Sequence, residues 1–272
     1  MNQFENDFRH SSIVAWICLV LLFLTLFLVL RIALLFNNLP ALPEGEFVQI
    51  AQAMLMGARF DLRMAMYACL PLVFLAVFKH QILNTLLRIW ILFFASTFLF
   101  FGLIEMEFYR EFQQRLNSLV FQYLSEDYKT VVSMIWQGTP VLKYLIVYLL
   151  GLAIIWRLIL FALPKPKSNA TQLRASNILV VFVLVAVSVL GARGTLRSGP
   201  PLRWGDAYQS EHMFLNHLAL NGSYTLSKAA IKALSSQEFS HAHMIETEIA
   251  LSTTRSLIKT STKHLLTMAD HP

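Results

Sequence analysis

Charge is scarce in this chain. Only 14% of its 272 residues are Asp, Glu, Lys or Arg, where a soluble domain carries about a quarter. Cysteine is nearly absent: Cys18 and Cys69 both sit inside apolar blocks, with no CxxC pair and no zinc spacing, so a disulfide framework and a structural zinc site are excluded. No P-loop, no GxSxG elbow and no dinucleotide fingerprint occurs, so no recognisable catalytic set or cofactor site is written in this chain. No small-residue cleavage site follows the first apolar block, which is too long for a signal-peptide core and reads as a retained signal anchor. The formal charge of +6 has no basic cluster interleaved with aromatics, so it does not point to nucleic acid. Positive-inside loops and contact with anionic phospholipid account for it.

What is abundant is apolar side chain: 56% of residues are hydrophobic and the mean hydropathy is +0.57. These residues fall in blocks, which a soluble core does not need and a lipid solvent does. The expected class is an all-α membrane protein with about five transmembrane helices, interfacial helices and an extracytoplasmic C-terminal linker. Expected spans are Ile13–Leu35, Leu62–Phe78, Ile89–Ile104, Val141–Leu163 and Ile178 to Leu190, the last extending as far as Leu196. Each is near the length that crosses about 30 Å of hydrocarbon at about 1.5 Å per residue. Residues 1–196 would form the membrane domain and 197–272 the linker segment.

Proline and polar residues punctuate the blocks. Asn37, Asn38, Pro40 and Pro43 end the first, and Pro71 lies inside the second, where a kink is expected. Phe47–Arg59, apolar but broken by Gln49 and Gln52, reads as a short interfacial helix separate from the second span. Residues 110–137 are amphipathic and should lie along the membrane surface or cap the bundle. Pro140 is placed to begin the fourth span. A weakly amphipathic helix can be drawn over Thr247–Leu266.

The loop charges set an orientation. Lys79 and Arg88 in the second connection, and Lys165, Lys167 and Arg174 in the fourth, are basic without acid. Glu44, Glu46, Glu111, Glu126 and Asp127 fall in the first and third. By the positive-inside rule the N-terminus is cytoplasmic and the C-terminus periplasmic, in a bacterial inner (plasma) membrane.

Three clusters could carry chemistry. Glu105, Glu107, Tyr109, Arg110 and Arg115 gather just after the third span. They could hold a metal or a lipid headgroup, with Arg on phosphate; the plain alternative is a solvated charged helix face. Asp61 and Arg63 stand at the mouth of the second span but, two residues apart, do not face each other. Arg63 would pair with Glu105 or Glu107, or reach a phosphate. The stretch Arg193–Asn221 contains Arg203 and Trp204, suited to the headgroup layer or to a plain juxtamembrane anchor. His241 and His243 alternate, a pattern that can bind metal, and His264 lies further on, but no HExxH or carboxylate spacing accompanies them; Asn221-Gly222-Ser223 matches a glycosylation sequon without bacterial meaning.

Several of these stretches are similar to one family. Ala58-Arg59-Phe60-Asp61-Leu62-Arg63 enters the second span, and Glu105-Met106-Glu107-Phe108-Tyr109-Arg110-Glu111-Phe112 leaves the third. Pro201-Leu202-Arg203-Trp204-Gly205-Asp206-Ala207-Tyr208, Asn216-His217-Leu218-Ala219-Leu220-Asn221 and Tyr224-Thr225-Leu226 follow the last. Together they resemble the membrane region and post-membrane linker of the lipoteichoic acid synthase and phosphoglycerol transferase family, over roughly residues 10–235. The resemblance implies an extracytoplasmic sulfatase-fold catalytic domain with a Thr or Ser nucleophile and a divalent metal of the manganese type, moving a headgroup from a lipid donor or hydrolysing an ester. The chain reaches Pro272 about where that domain should begin, so no catalytic residue is carried over. The expected role is the anchor and linker of such an enzyme, working with a catalytic domain or homologous chain. A non-catalytic membrane scaffold or regulator from a truncated gene is the alternative. A transporter is the weaker third reading, because the spans hold few polar residues.

Overall fold

The structure is a computed structural model that describes residues 3–42, 47–125, 128–163, 170–171, 175–195, 197–240, 254 and 256. Glu44, Glu46, Glu126, Asp127, Lys165, Lys167, Arg174, Leu196, His241, His243, His264 and all but two residues of the helix expected over 247–266 lie outside them. The chain divides into two units, residues 1–228 and 229–272. Over the described residues of the second, 229–240 are helical.

The protein is an all-α membrane protein. Its long helices are α1 (Gln3–Asn37), α2 (Phe47–Cys69), α3 (Gln81–Phe112), α6 (Val141–Ala162) and α7 (Ala175–Arg193). Shorter ones are α4 (Leu119–Ser125), α5 (Tyr128–Gly138) and α8 (Met213–Ala219), and α9 (Gly222–Ser240) ends the described run. Four segments are long and apolar enough to cross a bilayer: Ser12–Asn37, Gln81–Phe112, Val141–Ala162 and Ala175–Arg193. They match the first, third, fourth and fifth expected spans. The third is longer than expected at both ends, because Arg88 and Glu105 lie within the helix rather than in connections.

The second expected span is where the structure departs from the sequence reading. The interfacial helix expected over 47–59 is not separate; it runs unbroken into the next block as α2, through Asp61 and Arg63. At Cys69 the α-helix tightens into a 3-10 segment, Leu70–Ala76, with Pro71 in its first turn. Pro removes an amide donor and cannot continue an α-helix interior. α2 is less apolar than its neighbours, yet it packs on α1 and α7 and buries Phe60, Asp61, Arg63, Met64, Ala65, Ala68 and Cys69. Asp61 and Arg63 therefore face protein rather than lipid, as intramembrane polar groups generally do, while Gln52 and Arg59 of the same helix are exposed.

Aromatic packing locks the helices together. Phe98 of α3 meets Phe23 and Phe27 of α1 at ring separations of 5.6 and 5.0 Å. The outward faces of α6 and α7 carry exposed Leu, Ile, Val and Phe, including Phe161 and Phe182, the surface lipid demands. At one end of the bundle, Phe78 and Lys79 pair antiparallel with Thr171 and Ala170. This joins the second connection to the fourth at Ala170 and Thr171. Arg88 donates from Nε to the carbonyl of Leu163 at 2.9 Å, satisfying an orphan acceptor at the end of α6.

The opposite end carries the third connection and the segment after α7. α3 stops at Gln113, whose φ of 52° is left-handed, with its amide on the Tyr109 carbonyl at 2.9 Å. That turn throws the chain back over the helix end and brings Arg115 beside Glu105. Of the amphipathic 110–137 stretch, α5 leaves Val132, Met134, Ile135 and Trp136 exposed a few residues before α6 begins, the pattern of an interfacial helix.

Candidate functional site: a buried four-charge cluster capped by the post-span segment

Two ion pairs lie side by side at this end of the bundle. Arg31 of α1 meets Asp61 of α2 at 2.6 Å, and Arg115, after α3, meets Glu105 of α3 at 2.7 Å. All four side chains are at least nine-tenths buried. Isolated charges cannot be held in such surroundings; paired and fully hydrogen-bonded ones can.

Arg31 Nη1 and the Nε and Nη2 of Arg115 donate to backbone carbonyls of the segment that follows the last span. Arg31 Nη1 donates to Leu218 and, at 2.9 Å, to Leu220. Arg115 donates from Nε to His217 at 2.9 Å and from Nη2 to Leu220. These carbonyls close the C-terminal end of α8, where a helix leaves acceptors unpartnered. Asn221 joins the network from the other side. Its amide donates to Asp61 Oδ1 at 2.7 Å, while its own Oδ1 accepts the Tyr224 amide at 3.1 Å. It is thus the N-cap of α9, and this accounts structurally for the residue that the sequon match singles out.

Arg63 makes a third attachment. Its Nη1 donates to the Leu202 carbonyl at 2.5 Å and its Nε to the Tyr67 hydroxyl at 3.1 Å, with the Tyr224 ring 5.4 Å from the guanidinium. Leu202 in turn donates its amide to Arg193, the last residue of α7, at 3.0 Å. Two glycines make the close approach possible. A Cβ at Gly57 would collide with the Arg31 guanidinium, and one at Gly222 with the Glu105 carboxylate.

The expected site residues separate into two groups. Arg63, Glu105 and Tyr109 are buried and hold protein partners. Arg63 pairs with neither Glu105 nor Glu107, because the Leu202 carbonyl and Tyr67 take its donors. The Tyr109 hydroxyl shares a hydrogen bond of 3.1 Å with His217 Nδ1. Glu107, Arg110, Arg203 and Trp204 lie nearer the surface. Glu107 accepts the Tyr144 hydroxyl at 2.6 Å and pairs with Arg110 at 2.6 Å; Arg110 also meets Glu111 at 3.2 Å. Arg203 is exposed, and its amide donates to Asp206 Oδ2 at 2.6 Å. Trp204 is 60% exposed and stacks edge-on with Tyr208 at 5.5 Å. Arg31 is the residue sequence reasoning missed: as the only charge within the first apolar block, it carried the signal.

Burial, and then the positive charge of Arg115, holds the His217 imidazole below its usual titration range. Burial also raises the Tyr224 phenol. Among the described residues no group of three or more His, Cys, Asp or Glu side chains is placed to hold a metal ion. No family model, curated protein or solved structure matches the chain.

Proposed function

We propose that the chain is the membrane anchor and linker portion of a sulfatase-fold enzyme of the lipoteichoic acid synthase and phosphoglycerol transferase type. It would act in a bacterial inner membrane, with the N-terminus cytoplasmic and the C-terminus periplasmic. Its task is to hold an external catalytic domain, bearing its own divalent metal, at a fixed distance from the bilayer while that domain transfers or hydrolyses a lipid headgroup. The observation that supports this is the docking of residues 202–221 onto the bundle end through Arg31, Arg63 and Arg115. A free tether needs no such attachment; a positioning linker does. Arg110, Arg203 and Trp204, at the surface near the span ends, suit contact with anionic phospholipid.

The test is the intact mass of the native product purified from its own membrane, together with phosphoglycerol release from vesicles containing phosphatidylglycerol. A product well above 31.1 kDa that releases phosphoglycerol supports the anchor reading. A product of that mass with no turnover, alone or with a homologous full-length enzyme, sinks it. The second reading, a non-catalytic scaffold or regulator, is favoured by one specific observation. The buried arginines able to grip a phosphate all donate to protein groups instead. Capture of a full-length homologue regardless of its activity would support that reading.

A further inference from the structure

The two buried ion pairs are not closed by the protein alone. Glu105 Oε1 and Arg31 Nε are both buried and have no hydrogen-bond partner. Both side chains line the same cavity, of about 20 Å³, with Phe27, Phe98, Asn221 and Ser223 among its other walls. A buried carboxylate oxygen or guanidinium N–H left unmatched costs several times what an ordinary hydrogen bond contributes, so this coincidence in one cavity calls for an occupant.

Charge selects its kind. Asp61 and Glu105 balance Arg31 and Arg115, so the cluster is neutral as it stands. A cation would face two guanidiniums, and an anion two carboxylates; either adds an uncompensated charge where little water screens it. Protonating Glu105 instead would weaken its 2.7 Å pair with Arg115 and supply a donor where an acceptor is already available. Size selects further: the cavity exceeds the minimum for one water molecule and leaves no room for a headgroup. The occupant must donate to Oε1 and accept from Nε–H.

We infer that this cavity is a binding site for one resident water molecule, which bridges Glu105 Oε1 and Arg31 Nε. The water joins the two pairs into one circuit, Asp61–Arg31–water–Glu105–Arg115, that spans α1, α2, α3 and the turn after it. The docked carbonyls of 217–220 attach to both halves, so the circuit makes their attachment a single event rather than two.

Radiolytic footprinting of the full chain in nanodiscs tests this on the unmodified protein. Phe27 and Phe98 are each 4% exposed, so label at either that exchanges more slowly than at surface sites reports water held beside it rather than bulk solvent. The expected result is oxygen labelling at Phe98 or Phe27 that lags behind surface sites after a switch to oxygen-18 water, and is lost in Glu105→Gln. Absence of label in the unmodified protein means a dry cavity and overturns the proposal. Loss of label on adding sodium or potassium overturns it in favour of a cation. A protonated-carboxyl infrared band in the unmodified protein that disappears in Glu105→Gln overturns it in favour of a proton.

Discussion

Helix α3 ends in two charged regions separated by a few residues and treated oppositely. Glu105 faces inward, meets Arg115 and is sealed by the chain after α7. Glu107, Arg110 and Glu111 point to the α6 side and outward, with the Arg110 side chain 53% exposed. The residue types are the same and Glu105, Glu107 and Arg110 share one helix; only the face differs. The comparison teaches that charge at a span's mouth is no guide to headgroup binding by itself. At the inward face it is a fastener between protein elements, and at the outward face it is available to water and lipid.

The contrast can be broken hardest at Arg115. Arg115→Ala leaves Glu105 buried and unpaired, a loss of about 3–5 kcal/mol. It should release the 202–221 segment, read as rapid tryptic cleavage at Arg197 or Arg203 in nanodiscs. Unchanged cleavage would mean that the segment is held elsewhere. Gly222→Ala comes next: its new methyl meets the Glu105 carboxylate, and overpacking of this kind costs about 1–3 kcal/mol. A lowered midpoint in thermal unfolding is expected.

Acid sharpens the comparison without mutation. His217 titrates lower when docked than its usual value near 6.5, so the released segment binds the extra proton. Docking is therefore complete above about pH 6.5 and weakens as pH falls below it, toward the lower docked value. Protease sensitivity of the segment should rise over that window, and His217→Gln should flatten the profile. Gln113→Gly relieves a left-handed residue at the end of α3 and, after the entropy lost to glycine, should stabilise by no more than about 1 kcal/mol in the same unfolding assay. Arg110→Gln, on the outward face, should leave the unfolding midpoint unmoved at high salt.

Much of this was legible in the sequence, for identifiable reasons. Four spans announce themselves by length and hydropathy, and Asp61, Glu105, Arg115 and the 197–229 stretch stand out as polar groups beside them. The partnerships do not. Arg31 finds Asp61 30 residues on and Leu220 189 residues on, and Asn221 reaches back 160 residues to Asp61. No local period encodes such distances. The continuity of α2 is hidden for a related reason: Gln49 and Gln52 lower the hydropathy of its first half and suggest a separate interfacial helix over 47–59. They open a helix that continues through Asp61 and Arg63, which are buried by neighbours that local patterning does not reveal.

The Arg31 clasp also has a history in time. Synthesis proceeds from the N-terminus, so α1 enters the membrane with a guanidinium near its end and no counter-charge. That residue is costly within lipid, by up to about 3 kcal/mol at the centre of a span and less toward its edge. Asp61 arrives only with α2, which favours the first two helices settling together as a hairpin. The carbonyls of Leu218 and Leu220 emerge only after α7, the last of the four apolar spans. A ribosome stalled before residue 218 would therefore leave an inserted but unfastened bundle, and membrane quality control could recognise it by the same arginines that later hold it shut.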